Sequence, residues 1–171
     1  MPPKFNEVAP ESLNENVFKL IGKDWMLITA GNLAKYNTMT ASWGGMGILW
    51  GRKVAFCVIR PQRYTFQFME SAPVFSLTFF TEAYRYALDF IGTNSGRKLD
   101  KAAECGLTPF EPSPGIVSFM EARLILECKK LYTHDLDPEK FLDPTLNNVY
   151  PARDYHRMYI GEILRAGLSA A

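Results

Sequence analysis

Short apolar runs that alternate, or that stop dead at a turn, constrain this chain more than any other feature. Val74-Phe75-Ser76-Leu77-Thr78-Phe79 alternates with period two and predicts a strand with Phe75, Leu77 and Phe79 on one face. Residues 54–59 form a continuous, β-branched apolar run that ends at Arg60-Pro61, as a buried strand entering a turn does. Residues 25–30 predict a first strand closed by the turn signal Gly31-Asn32, with residues 37–43 as its returning partner. Residues 122–128 predict a long strand with Leu124, Leu126 and Cys128 inward, and residues 156–164 the last one. Helical patterning is confined to residues 65–71, 84–91 and 98–105, the third ending at Gly106. The prolines of residues 109–115 predict a connecting loop, and the glycines at 44, 45, 47 and 51 a mobile one. Many strands without regular strand–helix alternation predict a small antiparallel barrel or sandwich rather than a doubly wound sheet.

Composition narrows the partners. With 171 residues, 47% of them hydrophobic, the chain has enough apolar mass for one domain with a core of its own. Nineteen basic against 18 acidic residues give a net charge of +1, which lacks the field a nucleic-acid binder uses to gather phosphates. The first residues lack a signal peptide's apolar stretch and no run reaches bilayer length, so a cytoplasmic protein without membrane attachment is expected. Cys57, Cys105 and Cys128 are odd in number and sit in apolar contexts, which predicts buried thiols. With only His134 and His156 as histidines, no metal site is expected. Residues 135–154 form a long proline-interrupted connection, of the kind that serves as a lid or as packing between subunits.

Asn37-Thr38-Met39-Thr40-Ala41-Ser42-Trp43 is too polar for an ordinary core strand and leads into Gly44-Gly45. Such a run suits a backbone held against a planar, polar ligand; the ordinary alternative is an edge strand whose hydroxyls face water. Arg63 offers a bidentate grip on an anion, Thr65 a hydroxyl and an amide at a helix start, Ser95-Gly96-Arg97 the approach to another helix, and Lys101 a point charge. The competing explanation for Arg63, Thr65 and Ser95 is helix capping, which is commoner than phosphate binding. His156, read on a strand with Met158 and Ile160, is either a positioning residue or a structural one. Gly45-Met46-Gly47-Ile48-Leu49-Trp50 has Trp50 where a dinucleotide fingerprint needs its last glycine.

Taken in order, residues 37–43, Arg63-Tyr64-Thr65, Ser95-Gly96-Arg97 with Asp100-Lys101, and His156 before Ile160-Gly161-Glu162 resemble the flavin reductase-like family over nearly the whole chain. That resemblance implies a mainly β fold, an antiparallel Greek-key FMN-binding split β-barrel with short peripheral helices, as a single domain over residues 1–171. It implies FMN as cofactor, with residues 37–43 along the flavin ring and Arg63, Thr65, Ser95, Gly96, Arg97 and Lys101 at its phosphate. It also implies NAD(P)H as electron donor, His156 near flavin and nicotinamide as the catalytic candidate, and a homodimer. Three functions fit it: a flavin reductase, an electron-transfer protein of the flavoredoxin kind with permanently bound FMN and a protein partner, and a flavin-binding protein without the reaction.

Overall fold

The computed structural model describes residues 5–170. Its frame is one antiparallel sheet of eight strands in the order β3 (Lys35–Ala41), β2 (Met26–Asn32), β6 (Val74–Phe79), β9 (Leu124–Asp135), β10 (Arg157–Ser169), β5 (Arg52–Ile59), β4 (Gly44–Leu49), with β1 (Phe5–Val8) paired to β10. A separate hairpin joins β7 (Pro109–Ser113) to β8 (Ile116–Phe119). The helices are short: α1 (Val17–Lys19), running on into a π-helical turn Leu20–Asp24, then α2 (Tyr64–Ser71), α3 (Arg85–Thr93) and α4 (Lys101–Glu104). The chain is of the split-barrel class, and among the described residues no pairing joins β3 to β4.

The alternation read in the sequence decides which side of the sheet is core. Phe75, Leu77 and Phe79 pack with Leu124, Leu126 and Cys128 in one cluster that draws on β2, β3, β5, β9 and β10, which requires the sheet to curl around it. Ser76 and Thr78 point the other way, where Ser76 donates to the Val117 carbonyl at 2.6 Å and Thr78 meets Ser118 at 3.0 Å. Burying those hydroxyls is tolerable because each has a partner. Gly161 lets the strands close: a Cβ there would lie 2.7 Å from Phe75 Cζ, too near for any side chain. All three cysteines are buried and free, and burial raises the thiol pKa of each.

Several boundaries differ from the sequence reading, each for a local reason. The first strand begins one residue late, since Trp25 adopts φ 68°, and it runs on to Asn32. There Asn32 Oδ1 accepts from the amides of Ala34 and Lys35 and closes the β2–β3 turn. The glycine-rich segment is not a mobile loop: it is strand β4, turned into β5 by Trp50 and Gly51, both at positive φ, as a two-residue hairpin turn demands. Of residues 109–115, Pro109–Ser113 likewise form a strand, β7, whose prolines are tolerated on a two-stranded edge, and Pro114-Gly115 turn it into β8. Predicted helix 98–105 shrinks to α4, whose start is fixed by Asp100 accepting from the amides of Ala102 and Ala103. His156 precedes β10 rather than lying on it.

Candidate functional site

Two pieces of chain far apart in sequence meet beside the edge strand β3: the turn entering α2, and the run from the end of α3 to the start of α4. Between them is a cavity of about 230 Å³ lined by Asn37 and Met39 of β3, by Arg63 and Thr65, by Ser95, Gly96 and Arg97, and by Lys101. Eight of the residues singled out in the sequence are thus brought to one place.

Its electrostatics are one-sided. Arg63, Arg97 and Lys101 supply three cations; among the described residues no carboxylate lines the cavity and none of the three forms a salt bridge. Both Arg63 side-chain amino groups donate to the Gly92 carbonyl at 3.3 Å, and Lys101 Nζ donates to the Ile91 carbonyl at 3.1 Å. These are the free carbonyls that end α3, where a helix carries partial negative charge, so the cations are held by dipoles rather than by acids. Burial, and then the neighbouring Arg63, hold Lys101 down to about 8. Arg97 lies over the Tyr64 ring at 4.9 Å and donates to the Gln62 carbonyl at 3.2 Å.

The cradle is also shaped for close approach. A Cβ on Gly96 would fall 2.0 Å from Asn37 Oδ1, so only glycine fits there. Asn37 Nδ2 in turn donates to Thr65 Oγ1 at 2.7 Å, which leaves the Thr65 hydroxyl hydrogen for another acceptor. Arg63 is the N-cap of α2 and supplies no side-chain cap, whereas the start of α4 is closed by Asp100. Capping therefore does not explain Thr65, and the α4 terminus does not offer its amides to an anion. Among the described residues the Ser95 hydroxyl accepts from the Arg97 amide, at 3.3 Å, and donates to no protein group.

The rest of β3 divides by face. Thr38 shares a hydrogen bond with Thr29 at 2.8 Å, and Thr40 donates to the Leu88 carbonyl at 2.6 Å, so both hydroxyls are engaged within the protein. Ala41 packs at the margin of the core. Ser42 and Trp43 lie past the strand's end, and Trp43, 47% exposed, stands 5.1 Å from His156 ring to ring. His156 is therefore grouped with Trp43 rather than with the cationic cavity.

Around it is a network the sequence reading missed. Arg60 pairs with Asp154 at 2.6 Å, donates to the Val149 carbonyl at 3.0 Å and lies over the Tyr150 ring at 4.9 Å. Gln62, which lines the cavity, also donates to Asp154, at 2.5 Å. Burial, then Arg60, push His156 down to about 4, with Asp154 acting in the opposite sense, so the ring is neutral at pH 7. In sequence Arg60-Pro61 reads as a turn and residues 135–154 as a lid or subunit packing, and neither names these contacts.

A larger cavity of about 660 Å³ opens between the β2–β3 turn, the end of α2 and Pro114-Gly115, but Lys35 is the one charged residue on its wall among those described. No helix among the described residues is long and apolar enough to cross a membrane.

No protein-family model and no curated protein matches the chain in sequence. Solved structures do match in fold. An FMN-binding domain of a flavin reductases-like enzyme from Shewanella baltica aligns with TM-score 0.71 at 18% identity, covering 99% of this chain and 79% of that one. Flavoredoxin from Methanosarcina acetivorans aligns with TM-score 0.68 at 21% identity, covering 95% and 77%. The NADH:FAD oxidoreductase of Streptomyces globisporus, solved with NAD and FAD fragments, aligns with TM-score 0.63 at 15% identity, covering 86% and 76%. At these identities the likeness is one of fold.

Proposed function

We propose that the chain is an FMN-binding oxidoreductase, a flavin reductase that accepts hydride from NAD(P)H. The observation that carries this reading is the acid-free, three-cation cavity beside β3, in a fold that the FMN-binding proteins above share. A phosphate monoester suits that donor set: it would satisfy Arg63 and Lys101, whose charges lack carboxylate partners, and accept from Thr65 and Ser95. The cavity's roughly 230 Å³ falls below the roughly 300–1,000 Å³ of pockets that enclose a whole ligand. It accommodates a phosphate and its polyol chain, and a tricyclic ring would extend past it along residues 40–43.

When bound, FMN would supply the hydride-accepting ring; the protein's own work is binding, orientation and exclusion of water. Arg63, Lys101, Ser95, Gly96 and Arg97 would anchor the phosphate. The backbone of Thr38 and Thr40 would border the ring while their hydroxyls keep the strand in place. Trp43 would offer a stacking surface, with neutral His156 beside it. A homodimer is part of the proposal, since among the described residues nothing pairs with the outer edge of β4, and Ile48 on it and Trp50 in the turn after it are 72% and 58% exposed, apolar area that a second copy would cover. The segment packed against His156 favours one second reading, a flavoredoxin-like carrier that passes electrons to a partner protein, because Phe141, Tyr150 and Tyr155 roof that side.

Flavin content and NAD(P)H oxidation measured on one purified sample test both. Bound FMN with turnover supports the reductase, bound FMN without it the carrier, and no flavin binding sinks the two together. Arg63→Ala should weaken FMN about 10- to 100-fold, as loss of a charge-assisted bond implies, and riboflavin hardly at all. Equal weakening of both would refute the phosphate assignment.

A further inference from the structure

The connection between β9 and β10 bears on His156 in a way that the flavin reading leaves unassigned. Tyr150 and His156 are 6% and 8% exposed, and the Tyr150 hydroxyl lies 2.8 Å from His156 Nδ1. Which atom donates follows from counting hydrogens. The phenol carries one hydrogen, and among the described residues Nδ1 is the only acceptor that hydrogen meets. Were Nδ1–H the donor, the phenol hydrogen would be buried without an acceptor, an arrangement that costs about 1–3 kcal/mol. Donation by the hydroxyl satisfies both groups. Nδ1 then accepts, and the proton of the neutral ring sits on Nε2. That nitrogen has no protein partner among the described residues, yet it is not among the side-chain atoms sealed from solvent. The imidazole that carries it packs against the indole of the half-exposed Trp43. Arg60 and Asp154, the charged groups facing the ring, favour its neutral and its charged form respectively, and burial sides with Arg60.

We propose that Tyr150 is a positioning residue that locks His156 in the Nε2–H tautomer, so that the imidazole presents one neutral donor to a carbonyl oxygen or ring nitrogen of a flat heteroaromatic ligand lying against Trp43. The identity of that ligand, flavin or nicotinamide, rests on the flavin reading; the tautomer does not. A neutral donor holds an acceptor atom in place without adding charge. It also makes the β9–β10 connection part of the site.

The test is nitrogen NMR on the full chain with ¹⁵N-labelled histidine at pH 7, first without any flavin. His156 should show an unprotonated Nδ1 and a protonated Nε2, and Tyr150→Phe should shift it towards the tautomer mixture of free imidazole. A protonated Nδ1 in the wild type, or an unchanged tautomer in Tyr150→Phe, overturns the proposal. Should Tyr150→Phe fail to fold, the wild-type spectrum still decides the tautomer, and two other variants decide its use. Gln places its amide near Nε2 and Asn near Nδ1, so H156N should lose at least tenfold more of the hydride-transfer rate than H156Q; equal losses count against it. Adding FMN and then NAD⁺ to the labelled protein identifies which ring meets Nε2–H, by the shift of its proton, and no shift with either overturns the ligand half. Failure to bind flavin would sink the functional reading and leave the tautomer assignment standing.

Discussion

Replacing Lys101 by methionine should make the flavin-free chain more stable. Lys101 is 5% exposed, and its ammonium is held down from 10.5 to about 8 chiefly by burial. That drop corresponds to a penalty of about 3 kcal/mol on the charged form in the folded state. Against it stands the hydrogen bond from Nζ to the Ile91 carbonyl, a contribution of about 1 kcal/mol. Methionine keeps the apolar stem and removes both terms, leaving a gain of about 2 kcal/mol at pH 7, or a rise of roughly 4–8 °C in Tm for a chain of this size. The pH dependence separates this account from better packing. Below pH 8 folded and unfolded chains both hold the proton and the penalty is complete. Between pH 8 and 10.5 the folded chain releases the proton while the unfolded chain keeps it, so wild-type stability rises with pH. The gap between variant and wild type should therefore close as pH approaches 10.5 and reverse beyond it. Urea unfolding of both proteins without flavin, at pH 7 and pH 10, reads this directly. A variant less stable than wild type at pH 7, or a gap of the same size at pH 10, would refute the reasoning. The same variant should bind FMN more weakly, a trade of stability against function.

Other expectations are simpler to state. Gly96→Ala drives a Cβ into Asn37, 2.0 Å from its Oδ1, and should destabilise the fold by about 1–3 kcal/mol while weakening FMN at least tenfold. Thermal melts with and without FMN check it, and an unperturbed variant would mean that the cradle is not tight. His156, neutral in the fold to about pH 4 but ordinarily titrating near 6.5, takes up its proton later in the folded chain than in the unfolded one. Stability should fall by up to about 3 kcal/mol as pH drops from 6.5 to 4, and H156Q should abolish that part of the slope in acid titrations followed by circular dichroism.

What the sequence discloses here is what depends on one short segment. The inward sides of β6 and β9 follow from alternation alone, and Phe75, Leu77, Leu124 and Leu126 are where period two puts them. The polar content of residues 37–43 marks β3 as unusual without saying which hydroxyls are spent inside the protein. Thr38 and Thr40 look like ligand donors in sequence and prove to be partners of Thr29 and Leu88, contacts set by strand pairing and by α3. The mistaken loops share a cause. Gly44 to Gly47 and the prolines of β7 are poor strand formers, and both segments are strands because a neighbour supplies the pairing that their own propensity does not. The Arg60–Asp154 and Tyr150–His156 contacts were invisible for another reason: ninety-four residues separate the first pair, and the second lies in a stretch with no periodic pattern.

The grip of Asp154 on both Arg60 and Gln62 changes how the twenty or so residues joining β9 to β10 should be regarded. A connection of this kind is ordinarily where a chain lengthens or shortens freely, because little else depends on it. In this protein one carboxylate fastens it to the turn that carries Arg63. Insertions or deletions among residues 137–153 are then permissible only if Asp154 still reaches that turn and Tyr150 still reaches His156. For anyone grafting or trimming this segment, its length is a parameter of the pocket and not a free choice.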